Sequence, residues 1–194
     1  MKKFLGLEKV KTAVFISGTG SNLKSLIKFS HKKSSPIKIQ LVISNNKKAK
    51  GLNISKKYKI KNKVYSFDQK KSAEKKILDD LNKNQIYLVC LAGFMKILSK
   101  NFIKKFKGKI INIHPSLLPK YKGLNTHKRA INNGDKFSGC TVHFINSKVD
   151  SGKIILQKKV KIVKKDTSEV LAKRILKQEH YLYPLAIKKV LINL

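Results

Sequence analysis

Apolar residues along this chain fall into short runs separated by amphipathic stretches, and the two alternate regularly as far as residue 114. KTAVFISG (11–18) has the length of a strand and closes on glycine, while the segment from Asn22 to about His31 sets Leu23, Leu26 and Ile27 on one helical face. IKIQLVIS (37–44) predicts a second strand, Gly51–Tyr58 a helix, NKVYSF a third strand and Ser72–Asn82 a helix. IYLVCLAGF is apolar on both faces, as a fully covered strand would be; Ser99–Phe106 then reads as a helix opened by a serine cap, and KIINIH as another strand. Strands that alternate with helices in this way predict an α/β fold with a mostly parallel central sheet and helices on both faces.

After His114 the rhythm changes. PSLLPKYKGLNTHKRA begins as a loop punctuated by proline and glycine and enters a helix near Thr126. GCTVHFIN and KIILQKKVKI predict an antiparallel C-terminal strand pair joined by a turn at Asp150, Ser151 and Gly152. A last helix spans about Thr167 to Ile192, with an interruption expected near Pro184. No repeat or composition break divides the chain, so residues 1–194 are expected to form a single domain, two tightly packed lobes being the other reading.

Composition narrows the function. The start, MKKFLGL, resembles a secretory leader, but Glu8, Lys9 and Lys11 cut the apolar stretch short and no small-residue cleavage site follows. No window nears the roughly 18 apolar residues of a membrane span, so a cytoplasmic location is expected. Cys90 and Cys140 lie within apolar runs and lack CxxC or metal-type spacing, which predicts two buried thiols and no metal site. The net charge of +35 raises the possibility of nucleic-acid binding. However, all but two of the 45 basic residues are lysine, the exceptions being Arg129 and Arg174, and the lysines are spread along the chain. Lysine lacks the planar fork that reads phosphates and bases in bidentate fashion, and shared A/U-rich codons account for the abundance of Lys, Asn and Ile.

Two constellations carry candidate chemistry. Ser17-Gly18-Thr19-Gly20-Ser21-Asn22 follows the first strand and opens a helix, where backbone N–H groups and the helix dipole favour an anion. It fits neither the dinucleotide fingerprint nor the P-loop; a phosphate monoester suits it best, and a purely structural glycine turn is the other reading. In IINIHPSLLP, alternation turns Asn112 and His114 to one face at the carboxyl end of their strand, which is where open α/β sheets gather ligands. An amide there can stabilise an oxyanion and an imidazole can move a proton. A carboxylate from the turn at Asp150 would raise the histidine pKa and hold it protonated. A histidine satisfied by backbone and an aspartate serving the turn remain the alternative. No serine or cysteine stands in a hydrolase nucleophile context, so direct transfer between two bound substrates is expected.

Taken together, ISGTGSNL, LAGFMKIL, NIHPSLLPKYKGL, THKRAI, NGD, TVHFI, VDSG, ILQ and QEHYLYPL resemble the phosphoribosylglycinamide formyltransferase family, in order from about Lys11 to Leu185. The resemblance implies a Rossmann-like formyltransferase fold and formyl transfer from 10-formyltetrahydrofolate, as co-substrate, to the amine of 5-phosphoribosylglycinamide in purine biosynthesis. It implies catalysis by Asn112, His114 and Asp150, with Asn112 and protonated His114 stabilising a tetrahedral oxyanion and Asp150 helping to pass a proton through water. It assigns Gly18, Thr19, Gly20, Ser21, Asn22, Leu23 and Lys24 to the ribosyl phosphate, and Leu176, Lys177, Gln178 and Glu179 to the rest of that substrate. Lys70, Met95, Lys96, Ile97 and Leu98 would meet the folate, together with Asn112, Asn146, Ser147, Lys148, Val149 and Asp150.

Relative to the family pattern, Lys70 and Lys96 stand where arginine is common, Lys153 where proline is usual, and Asn125 where histidine is frequent, leaving His127 as the nearest imidazole. His143 and His180 are expected to be structural. The partners expected are the two small molecules, with no metal, no membrane and no specific nucleic acid, and a monomer or homodimer. Methionyl-tRNA formyltransferase and formyltetrahydrofolate deformylase, each with a further domain, and a basic nucleic-acid-binding protein on the same fold are the competing expectations.

Overall fold

The computed structural model describes residues 8–192. The leader-like start, Met1–Leu7, lies outside them. The chain divides after Ile110 into two compact units.

In the first unit, β1 (Val10–Ile16), β2 (Ile37–Ser44), β3 (Lys61–Val64) and β4 (Leu88–Leu91) alternate with α1 (Ser21–Ser30), α2 (Gly51–Lys57), α3 (Lys70–Lys83) and α4 (Lys100–Lys105). β1 pairs in parallel with both β2 and β4, and β2 with β3. Phe15, Ile16, Leu23, Leu26, Ile27, Leu41, Ile43 and Ile77 are completely buried. These are the periodic positions of the strands and of the inner helix faces, and burying each large side chain contributes about 1.5–3 kcal/mol.

The second unit holds β5 (Lys109–His114), which begins at the division, then α5 (Thr126–Asn132), β6 (Phe137–Phe144), β7 (Ile154–Lys161) and α6 (Ser168–Ile192). β6 runs antiparallel to β5, with Asn112 opposite His143 and His114 opposite Thr141, and β7 runs antiparallel to β6. The strand order is β3-β2-β1-β4-β5-β6-β7. The fold is thus a seven-stranded, mostly parallel sheet whose C-terminal strands are antiparallel.

Local departures from the sequence expectations have physical causes. β3 ends at Val64, before Tyr65–Phe67, and β4 ends at Leu91 because Gly93 takes the left-handed conformation and turns the chain. α3 starts two residues early, at Lys70. The interruption expected at Pro184 does not occur: α6 is continuous. A helical proline loses one N–H bond and crowds the preceding turn. Here that cost is met by Leu182, Tyr183, Ala186 and Ile187, all buried on either side of the proline, and by the Tyr183 hydroxyl, which donates to the Ile111 carbonyl at 3.1 Å.

The glycine turn after β1 is partly a packing device. Gly20 has φ of 78°, and a Cβ there would lie 2.6 Å from the Gly51 Cα, because the Gly51 N–H donates to the Gly18 carbonyl at 3.0 Å. Gly18 itself faces open space. No helix among the described residues is long and apolar enough to cross a membrane. Cys90 and Cys140 are both buried, and burial pushes the Cys140 thiol up to about 12, as expected of a small core residue.

Candidate active site

The second unit assembles Asn112, His114, His143 and Asp150. β5 delivers the first two from one face at its end, and the antiparallel register brings His143 opposite Asn112. The loop after β6 returns Asp150 so that its Oδ2 lies 3.3 Å from His114 Nδ1 and accepts the Gly123 N–H at 2.9 Å. The other oxygen lies 3.6 Å from His143 Nε2. Asp150 takes φ of 45°, and the following loop is so tight that a Cβ on Gly152 would sit 1.7 Å from the Phe144 carbonyl oxygen. The Asp150 side chain is therefore held by backbone that only a few residue types permit.

Ring nitrogens report their own roles. The Tyr121 carbonyl lies 2.8 Å from His114 Nε2 and can only accept, so Nε2 carries a proton. On His143, Nδ1 donates to the Phe144 carbonyl at 2.9 Å, and Nε2 lies 3.2 Å from the Asn112 amide nitrogen and 3.6 Å from an Asp150 oxygen. His143, expected to be structural, is completely buried and also contacts Asn112 and adjoins Asp150. The chain after His114 is braced in turn: the Thr141 hydroxyl donates to the Ser116 carbonyl, accepts the Leu118 N–H, and receives the Gln157 amide.

Electrostatics revises one expectation. Burial pulls the His114 pKa below the ordinary imidazole value, and the Tyr121 carbonyl and Asp150 only partly offset it, so Asp150 does not hold this histidine protonated in the unliganded protein. Burial pushes Asp150 upward, but His143, the Gly123 N–H and His114 together hold it below the usual carboxylate range. His127 and His180 are also lowered by burial, His127 further by His114. Three imidazoles that resist protonation when folded take up protons on unfolding. The unfolded state binds more protons below its ordinary histidine pKa, about 6.5, so stability falls as pH drops through that value. Thermal melts in matched buffers from pH 7.5 to 5.5 should show a steadily decreasing Tm; a flat profile would contradict the burial of these rings.

The first unit carries the remaining groups from β1, β4 and their loops. α1 opens on Gly20, which makes no side-chain cap, and the Lys24 N–H donates to the Gly20 carbonyl at 2.9 Å. Gly18, Thr19 and Lys24 are exposed, Ser21 half-buried, and Asn22 and Leu23 buried. Met95, Lys96 and Ile97 are exposed, Leu98 is buried and Lys70 is half-buried at the start of α3. An open pocket of about 460 Å³ is lined by Ser17, Asn45, Asn46, Ser66, Phe67, Asp68, Met95 and Lys96. It lies outside the carboxyl ends of parallel strands, the usual ligand position in such sheets. Sequence reading missed Asn45, Asn46 and Asp68, whose only signal was their position just past a strand.

In the second unit, Asn146, Ser147, Lys148 and Val149 are exposed on the loop that carries Asp150, which is stiffened by the Asn146 amide on the Ser151 carbonyl at 3.0 Å. On α6, Glu179 is buried near Cys140, Leu176 and Gln178 are half-buried and Lys177 is exposed. Asn125 precedes α5 at φ of 57°, a conformation asparagine tolerates well. Lys153 contributes its carbonyl to the Phe144 N–H at 2.9 Å, a bond any residue type can make. Among the described residues, no group of three or more His, Cys, Asp or Glu side chains is arranged to hold a metal.

The profile of the formyl transferase family matches residues 10–187. The chain belongs to the formyl transferase family. This formyl transferase is 47% identical to the phosphoribosylglycinamide formyltransferase of Haemophilus influenzae, the match covering 92% of this chain and 85% of that one. It is 44% identical to part of the trifunctional purine biosynthetic protein adenosine-3 of Gallus gallus, covering 94% of this chain and 18% of that protein. Among solved structures, the phosphoribosylglycinamide formyltransferase of Brucella melitensis superposes on this formyl transferase with a TM-score of 0.90 at 41% identity, covering 94% and 96% of the two chains.

Proposed function

We propose that this formyl transferase moves the formyl group of 10-formyltetrahydrofolate onto the amine of 5-phosphoribosylglycinamide, a step of purine biosynthesis. The family supplies formyl transfer from a folate-derived donor, and the names carried by relatives of matching length favour this acceptor. The observation that carries the reading is the Asn112, His114, His143 and Asp150 cluster: the Asp150 carboxylate lies 3.3 Å from His114 and 3.6 Å from His143, and His143 in turn lies 3.2 Å from the Asn112 amide.

The chemistry follows from those groups. The acceptor amine attacks the formyl carbon, and the carbonyl electron pair moves onto oxygen. Asn112 Nδ2–H and His114 Nε2–H are the donors for that oxyanion, each such donor being worth about 3 kcal/mol in the transition state. Burial holds the His114 pKa below the ordinary imidazole value; as negative charge develops on the oxygen the ring's proton affinity rises, and Nδ1, 3.3 Å from Asp150, takes the proton that the attacking amine releases until the leaving nitrogen receives it. The attacking nitrogen loses a proton by way of Asp150 and water, the leaving folate nitrogen gains one, and the carbon–nitrogen bond to the donor breaks. Nε2–H reaches the formyl oxygen only if that oxygen replaces the Tyr121 carbonyl, so substrate binding is expected to displace Tyr121.

In this reading Gly18 to Lys24 receive the phosphate and Leu176 to Glu179 the rest of the acceptor. Lys70, Met95 to Leu98 and Asn146 to Asp150 receive the folate. Residues 1–194 act as one functional domain, monomeric or homodimeric, in the cytoplasm, and the net charge of +35 attracts anionic substrates without selecting a nucleic acid. The test is a spectrophotometric assay with phosphoribosylglycinamide and a 10-formyl folate. Turnover that requires both is expected; its absence, with folded protein and sound substrates, would reject this acceptor.

A further inference from the structure

The segment after β4 presents Met95 and Ile97 to solvent at 64% and 63% exposure, yet its backbone is fixed from several sides. At its start the Ala92 N–H donates to the Phe15 carbonyl at 2.8 Å, and Ser17 N–H to the Gly93 carbonyl at 3.1 Å. Phe94 packs edge-on against both Phe15 and Phe67. The Ser17 hydroxyl then accepts the Met95 N–H at 2.7 Å while donating to Asn45 Oδ1 at 2.5 Å. At the far end, Glu74 of α3 takes both donors of one residue: Ser99 N–H on Oε1 at 2.7 Å and Ser99 hydroxyl on Oε2 at 2.5 Å.

This second anchor exceeds what the helix start requires. Ser99 already caps α4 by accepting the Phe102 N–H at 3.0 Å, which satisfies the ordinary need of a helix N-terminus. Glu74 is 5% exposed, and a carboxylate taken out of water is costly unless it receives strong donors in good geometry. Its two bonds therefore immobilise Ser99, and the three residues between Met95 and Ser99 are held at both ends. Apolar side chains that remain in water on a rigid backbone suit a ligand's apolar ring better than a core, since binding then costs little ordering of the chain.

We propose that Glu74, acting through Ser99, is a positioning residue that presets the Met95–Leu98 segment for the formyl donor and so governs donor affinity. The proposal rests on the reading of that segment as the folate contact. The test is steady-state kinetics on the full chain with donor and acceptor varied in turn, together with fluorescence titration of tetrahydrofolate. Glu74→Ala should raise the donor KM and the tetrahydrofolate Kd about tenfold, leaving kcat and the acceptor KM within about twofold. Glu74→Gln, which retains one oxygen for Ser99, should fall between Glu74→Ala and the wild type, and it decides the matter by the same readouts if the alanine variant does not fold. An unchanged donor KM, or kcat and both KM values moving together, would assign Glu74 a merely structural part. If the wild-type protein fails to bind tetrahydrofolate, the donor reading falls and the proposal with it; if the wild type binds and both variants bind equally well, only the positioning role is lost.

Discussion

Replacing His114 by alanine is expected to lower kcat about a thousandfold while both KM values stay within a few-fold of wild type. The expectation combines two roles for one ring: a donor to the oxyanion and a group that changes charge as the reaction proceeds, each commonly worth two to three orders of magnitude. The two roles act in the same transition state, so their losses do not simply multiply. The substitution removes a side chain that is 5% exposed and leaves Asp150 Oδ2 with the Gly123 N–H alone. Folding should therefore be followed by circular dichroism alongside single-turnover kinetics. A folded variant that loses less than about tenfold would remove His114 from the mechanism.

Asp150→Asn is the second large effect expected, about a hundredfold in kcat, because the change is isosteric and spares the Gly123 contact but removes the charge that faces two imidazoles. Its direction in pH is equally informative. Asp150 lies below the ordinary carboxylate range and is ionised throughout neutral pH, where it raises the His114 pKa against the larger lowering by burial. Without that charge His114 becomes still harder to protonate, so its titration, followed by NMR of the imidazole, should move to lower pH. A shift to higher pH, or none, would mean that Asp150 acts only as a loop anchor.

Much of the fold was legible in the pattern of apolar positions, and the reasons for the errors are specific. Alternation along IINIH set Asn112 and His114 on one face because strand geometry has a period of two, and this needs no tertiary information. The pairing of Asn112 with His143 was not legible, since register between β5 and β6 depends on a loop whose path no local signal encodes. Hence His143 was read only as a buried structural residue, which it is, without its contact to Asn112. Pro184 misled for a related reason: local backbone chemistry predicts a break, while the buried neighbours that sustain α6 are scattered in sequence. The charge state of His114 failed in a third way. Asp150 was foreseen as a neighbour that favours the imidazolium, but burial, which opposes it more strongly, is a property of the folded whole.

The two glycines of the turn after β1 answer to different constraints. Gly20 is confined by its left-handed backbone and by Gly51, so a side chain there is rejected whether or not any substrate exists. Gly18 opens onto empty space and has no such internal enforcer. A lineage that no longer needed the reaction would thus keep its second glycine for as long as it kept its fold, while the first drifted freely. Of the pair, it is Gly18 whose side-chain space the fold itself leaves open to a ligand.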